Sequence, residues 1–162
     1  MQLDAEQLVS ALAGKIGPLA PDVAMVGIHS GGVWVAEKLH AMLAIAQPLG
    51  KLAVTLHRDD FSRIGLHPQK KSTDIPFEVE GRHILLVDDV LNTGRTLRAA
   101  LNELFDFGRP ASVKLAVLVD RGRRELPFAA DYVAATMTLD ASQELVLTND
   151  NNILRFDVQT KT

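Results

Sequence analysis

The chain lacks cysteine altogether, which excludes disulfide staples, thiolate nucleophiles and cysteine-bound zinc or iron–sulfur clusters and leaves stability to the core. It also lacks long apolar runs. Mean hydropathy is +0.09, and charges interrupt the apolar stretches every few positions, so none is long enough to cross a bilayer. The first residues, MQLDAE, have neither the basic start nor the apolar block of a secretory signal, and a cytoplasmic location is expected. No basic excess exists: net charge is −3 and the isoelectric point about 5.9. That balance excludes a broad nucleic-acid-binding face and restricts any RNA contact to a local patch. Repeats, low-complexity tracts and linkers are missing too, and 162 residues at 47% hydrophobic fit a single domain spanning 1–162.

What is present alternates between two periods. Asp4 caps a helix whose Leu8, Leu12 and Ile16 recur at helical spacing until Gly17-Pro18. Residues 23–28 (VAMVGI) read as a strand buried on both faces, and His29-Ser30-Gly31-Gly32 leads into a helix with a stripe of Val35, Leu39, Met42 and Leu43. Residues 52–57 are the next strand. The polar, proline-containing stretch 58–76 has no sustained period and reads as a long loop or flexible hairpin. Residues 84–87 (ILLV) make another buried strand, and 96–107 a helix with Leu97, Ala100, Leu101, Leu104 and Phe105 on its apolar face. Residues 113–119 and the short 132–133 are further strands. The segments 144–147 and 153–158, joined at 149–152, form a closing hairpin. The order β-α-β-loop-β-α-β predicts an α/β fold: a mostly parallel central sheet with helices on both faces and the ligand site at the strands' carboxyl ends.

The chemistry concentrates in residues 84–96, ILLVDDVLNTGRT. Two adjacent carboxylates stand at the end of a buried strand, before a glycine- and hydroxyl-rich turn that opens a helix. Backbone amides at a helix N-terminus hold anions, so Asn92, Thr93, Gly94, Arg95 and Thr96 suit a phosphate monoester. Gly94 allows close approach, Thr93 and Thr96 add hydroxyl donors, and Arg95 either adds charge or faces solvent. Asp88 and Asp89 would be repelled by that phosphate, and suit the cis-diol of an adjoining sugar; the strand ends at this point, so the turn brings both to one rim. They also suit water-bound Mg2+ beside a diphosphate. Without further context an Asp-Asp pair is an ordinary strand-end turn. Neither a Walker A loop nor a Gly-x-Gly-x-x-Gly fingerprint occurs. His29, His40, His57, His67 and His83 show no metal-ligand spacing, and no direct protein metal site is expected.

The segment ILLVDDVLNTGRT resembles the diphosphoribosyl-binding motif of type I phosphoribosyltransferases. VGIHSGGVWVAEKL at 26–39, LHRDDFS at 56–62, GRPASVKLAVLVDRGRRELP at 108–127 and ADYV at 130–133 extend the likeness to the PyrR family over most of the chain. The resemblance implies a type I phosphoribosyltransferase fold with a flexible loop and a small hood. It implies uracil phosphoribosyltransferase activity, converting uracil and 5-phosphoribosyl 1-diphosphate to UMP and diphosphate with Mg2+ as cofactor. Asp88 and Asp89 would bind the ribose hydroxyls, Asn92, Thr93, Gly94, Arg95 and Thr96 would hold the 5-phosphate, and Val90 and Leu91 belong to the substrate-binding set. Ser30 and Gly31 fall in the loop that binds diphosphate through its backbone, often with a strained peptide bond. Arg58 opens the loop that closes over the site, where Lys70 and Lys71 either neutralise diphosphate or are solvated. Tyr132 and Val133 match positions that stack on the base and read its edge, with a core tyrosine as the competing reading, and Arg121 belongs to the same substrate-binding set.

Two departures qualify the likeness. PyrR sequences carry Lys-Thr-Arg-Gly where this chain has His29-Ser30-Gly31-Gly32, which removes a guanidinium from the diphosphate loop. Residues 133–143, VAATMTLDASQ, contain no Lys or Arg where RNA-binding relatives are basic. The cluster Arg121, Arg123 and Arg124, flanked by Asp120 and Glu125, is either ion-paired or an RNA contact. The alternative functions are an RNA-binding regulator recognising the mRNA leader of a pyrimidine operon, with little catalysis, and a purine or xanthine phosphoribosyltransferase. Similar enzymes form homodimers or higher homo-oligomers, and Val33, Trp34 and Val35 suit either a core or a dimer contact.

Overall fold

A computed structural model of the protein describes residues 3–54 and 72–161. Three strands form the centre of the molecule: β1 (Ala24–Ile28), β3 (His83–Leu91) and β4 (Ser112–Asp120). With β2 (Gly50–Leu52) and β5 (Tyr132–Thr136) at the edges, they make one parallel sheet in the order β2-β1-β3-β4-β5. Successive strand side chains point to opposite faces. Met25, Leu85, Val87, Ala116 and Leu118 therefore enter one core, and Val26, Ile28, Ile84, Leu86 and Val117 enter another. Because both faces are covered, the strands read as continuous apolar runs rather than alternating ones.

Helices α1 (Ala5–Ile16) and α2 (Gly31–Met42) cover the first face, and α3 (Arg95–Phe105) covers the second. The Asp4 carboxylate caps α1 by accepting the Gln7 amide at 3.2 Å. The buried stripe of α1 is Ala5, Val9, Leu12 and Ile16, one position away from the expected Leu8. On α2 the buried residues are Gly32, Val33, Val35, Ala36 and Leu39, whereas Met42 is 51% exposed. Val33 and Val35 belong to the protein's own core, with Trp34 partly buried against it. Leu97, Ala100 and Leu104 bury the inner face of α3, while Phe105, on the helix's last turn, is 52% exposed.

Strands β6 (Gln143–Asp150) and β7 (Ile153–Thr160) form a separate antiparallel hairpin. Its two-residue turn places Asn151 at φ 51° and Asn152 at φ 67°, the left-handed pair that a tight hairpin demands and that asparagine tolerates. Leu145, Leu147 and Leu154 pack it onto the α1/α2 core. Lys38 Nζ donates to Asn152 O at 2.8 Å, and the Glu6 carboxylate accepts the Leu154 amide at 2.8 Å.

The expected strand at 52–57 is found as the earlier, shorter β2, and residues 55–57 lie outside the described residues, as does the part of the expected 58–76 loop from Arg58 to Lys71. Among the described residues no helix is long and apolar enough to cross a membrane.

Glu6 accepts a half-buried amide and pairs with Lys38 at 3.4 Å. Glu6→Ala is expected to cost about 1–2 kcal/mol by leaving that donor unsatisfied, read as a lower urea midpoint at unchanged m-value.

Candidate active site at the carboxyl ends of β1 and β3

Strand β3 does not end at Val87. It stays paired with β4 through Asp88↔Val117, Val90↔Val119 and Leu91↔Asp120. The two carboxylates therefore sit inside the strand, on successive residues, rather than on a free turn. The first loop after β1 meets them. The order of connection reverses there: the chain passes from β1 to β2 on one side and then crosses to β3 on the other, the switch point at which open parallel sheets bind ligands.

At this junction the His29–Ser30 peptide bond is cis, and Gly31 opens α2 directly against β3. A Cβ on Gly31 would run into the Asp89 carboxyl, and one on Gly32 would lie 2.5 Å from Val87 O. Only glycine lets the loop lie this close to the acids. Asp88 is half-buried; burial, and then the adjacent Asp89 charge, push its carboxyl well above the usual carboxylate range. The Asp89 amide, donating to Asp88 Oδ1 at 2.9 Å, opposes that rise.

Past Leu91 the chain turns through Asn92, Thr93 and Gly94 into α3. Gly94 adopts φ 97°, a left-handed conformation that other residues rarely take. The helix has no side-chain cap. Thr93 Oγ1 accepts the Arg95 amide at 3.2 Å, while the Thr96 and Leu97 amides have no hydrogen-bond partner among the described residues. A cavity of about 140 Å³ adjoins these amides, lined by Asp88, Val90, Leu91, Asn92, Thr93, Gly94 and Thr96, with Val117 behind them. The Arg95 guanidinium points away and pairs with Glu125 at 2.8 Å on the exposed side. Leu97 is a contributor not anticipated from sequence; the third amide of a helix starting at Arg95 identifies it.

Ser30, Gly31, Asp88, Asp89 and residues 90–96 thus come together. Tyr132 does not join them. It begins β5, level with Ala116, packs against the α1/α2 core and lines a separate cavity with Leu19, Val23 and His83. Val133 pairs with Val117 one strand away from the cavity, and its carbonyl accepts Lys15 Nζ at 2.6 Å. The β5 residue level with Leu91 and Asp120 is Thr136. Arg121 is only 5% exposed; its amide donates to Leu91 O at 2.8 Å, and its side chain reaches Asp140 O at 3.4 Å. Arg58 lies outside the described residues. Among the described residues no group of three or more His, Cys, Asp or Glu is placed to hold a metal. The Asp88–Asp89 oxygens suit a hard cation that keeps most of its ligands from water and phosphate.

The fold and this junction define a phosphoribosyltransferase: residues 3–144 match the phosphoribosyl transferase domain family. The chain is 53% identical to the bifunctional protein PyrR of Ralstonia nicotianae, covering 90% of this chain and 86% of the relative. It is 55% identical to the bifunctional protein PyrR of Nitrosococcus oceani, covering 84% and 77%. Among solved structures, a purine phosphoribosyltransferase from Pyrococcus horikoshii superposes with TM-score 0.61 at 26% identity over 82% of each chain. A hypoxanthine phosphoribosyltransferase from Trypanosoma cruzi superposes with TM-score 0.67 at 21% identity over 95% and 92%, a likeness of fold. The chain belongs to the PyrR family.

The raised Asp88 carboxyl has a sign that can be tested. The folded chain retains a proton that the unfolded chain releases in the ordinary carboxylate range, so this group's contribution to stability falls as pH rises through its folded-state value. Asp88→Asn should raise Tm at neutral pH in the absence of ligand, with the gain vanishing near pH 3. A Tm difference that is constant across pH would contradict the assignment.

Proposed function

We propose that the protein is a uracil phosphoribosyltransferase acting in the cytoplasm, with 5-phosphoribosyl 1-diphosphate and uracil as substrates. One observation carries this reading: the carboxylate pair, the glycine-lined loop and two open helix amides converge within one junction. That spacing suits a sugar diol flanked by a phosphate at one end and a diphosphate at the other.

In this reading the Thr96 and Leu97 amides, with the Thr93 and Thr96 hydroxyls, hold the 5-phosphate. Asp88 and Asp89 accept hydrogen bonds from the ribose hydroxyls and fix the sugar. The backbone of Ser30 and Gly31 faces the diphosphate. Uracil N1 forms the new bond to ribose C1 as the bond to diphosphate breaks; diphosphate leaves with the electron pair, and the N1 proton is released. Mg2+, when bound, would neutralise charge developing on the leaving diphosphate, and Asp88 and Asp89 are the residues that would hold it through water. The chain itself supplies positioning and a fixed field as the sugar becomes cationic, and no protein nucleophile is needed.

Base choice is supported by the PyrR relatives at 53% and 55% identity over the purine enzyme at 26%. The base is expected toward the carboxyl end of β5, near Thr136, rather than at Tyr132. Self-association into homodimers or larger homo-oligomers follows the family. The inward-turned Arg121 and Arg124 favour the catalytic reading over a protein whose main work is binding an mRNA leader.

Asp88→Asn and Asp89→Asn should each lower turnover with uracil by roughly 100-fold or more, with the fold intact by circular dichroism. Wild-type rates in a panel of uracil, cytosine, hypoxanthine, guanine and xanthine should be measurable with uracil alone, and a preference for a purine would overturn the base assignment. Tyr132→Phe should leave the KM for uracil within about twofold of wild type.

A further inference from the structure

The turn after β4, DRGRRELPF at residues 120–128, reads in sequence as a cationic surface segment. In the structure the Arg121 and Arg123 side chains reach Asp140 O and Leu139 O, while Arg124 and the amides that follow it point at the loop carrying the open amides. Arg124 Nη1 donates to Asn92 O at 2.9 Å and to Asp120 Oδ1 at 2.9 Å, Nη2 donates to Asp120 Oδ2 at 2.7 Å, and Nε donates to Phe128 O at 2.8 Å. One half-buried guanidinium thus ties the loop's first carbonyl to the end of β4 and to the far end of the turn. The next two amides, of Glu125 and Leu126, both donate to Thr93 O, at 2.9 and 3.0 Å. Leu126 and Phe128 pack against Gly94, where a Cβ would sit 3.3–3.4 Å from their side chains. Asn92, Thr93 and Gly94 are therefore each gripped from outside by this turn, which leaves their other side to the cavity.

We propose that residues 120–128 form a brace for the phosphate-holding loop and that Arg124 is its central positioning residue, acting through Asn92 and Thr93 rather than by touching substrate. The proposal rests on the reading of residues 92–97 as the 5-phosphate site. The geometry is selective for arginine. Four bonds to oxygens on three differently placed residues use the planar fork, and a lysine ammonium cannot span Asn92, Asp120 and Phe128 together. A guanidinium committed in this way has little left for RNA, and within 120–128 only Arg123 offers an exposed guanidinium without a carboxylate partner.

Calorimetric binding of ribose 5-phosphate to the full-length protein tests the brace without depending on base identity. Arg124→Gln should weaken binding about 10-fold or more, as displacement of a positioned loop does, and Arg124→Lys should not restore it. In steady-state assays the KM for 5-phosphoribosyl 1-diphosphate should rise while that for uracil stays within about twofold. Glu6→Ala, which loosens the remote hairpin, is the control: it should leave ribose 5-phosphate affinity unchanged. Asp120→Asn preserves shape and weakens the anchor, so a folded Asp120→Asn protein should bind about threefold more weakly. That variant decides the matter if the Arg124 variants do not fold. Wild-type affinity in Arg124→Gln or Asp120→Asn, or a parallel rise in both KM values, would overturn the brace. Failure of the wild type to bind ribose 5-phosphate would instead remove the phosphate site itself, and the brace with it.

Discussion

The register of β3 against β4, held parallel as far as Leu91↔Asp120, is the constraint on which the rest of the site depends. It carries Asp88 and Asp89 beyond the apolar section of the sheet and into contact with the loop after β1. It also sets Asp120 level with the residue before the phosphate-holding turn, so that Arg124 can reach Asp120 and Asn92 at once. A register slip of one residue would reverse every side chain on β3, exchanging Leu85 and Val87 with Ile84 and Leu86 between the two cores. The continuous burial on both faces therefore fixes the positions of the polar groups at its edge.

The junction carries an electrostatic penalty in the free protein. Burial of Asp88 is costly, and the adjacent Asp89 carboxylate adds repulsion. Nothing in the core requires acids at these positions. A ligand that donates hydrogen bonds or brings a cation relieves the same strain, which couples binding to stability. Asp120 is the counterpart: its bond to Arg124 holds its carboxyl below the usual range, so this pair strengthens as pH rises through the acid range and is lost as pH falls through the lowered value. The site thus joins an acid pair that disfavours the empty fold to an ion pair that steadies the loop beside it.

Much of this was legible in sequence because apolar periodicity reports burial directly. Runs such as VAMVGI and ILLV, continuous because both faces are covered, identified the central strands, and the turn after Leu91 identified the helix N-terminus. Errors arose where tertiary pairing overrides local pattern. Asp88 and Asp89 suggest a strand end, yet pairing with β4 carries the strand to Leu91. Met42 and Phe105 fit an apolar helical stripe but lie where no layer covers them. Tyr132, an aromatic in a family-like motif, begins rather than ends β5, and the parallel direction of that strand sets it away from the carboxyl rim. The arginines of 120–128 were least legible, since sequence gives their charge and not the carbonyls they face. Arg121 is buried and Arg124 is bound on four sides.

The central claim is that the amides opening α3 hold the 5-phosphate of the sugar substrate beside the Asp88–Asp89 pair. The most direct measurement is an amide NMR titration of the wild-type protein with ribose 5-phosphate. The account predicts saturable shifts concentrated at Thr93, Gly94, Arg95, Thr96 and Leu97, with smaller ones at Asp88 and Asp89 and none at Tyr132. Saturable binding that leaves the Thr96 and Leu97 amides unmoved would contradict it.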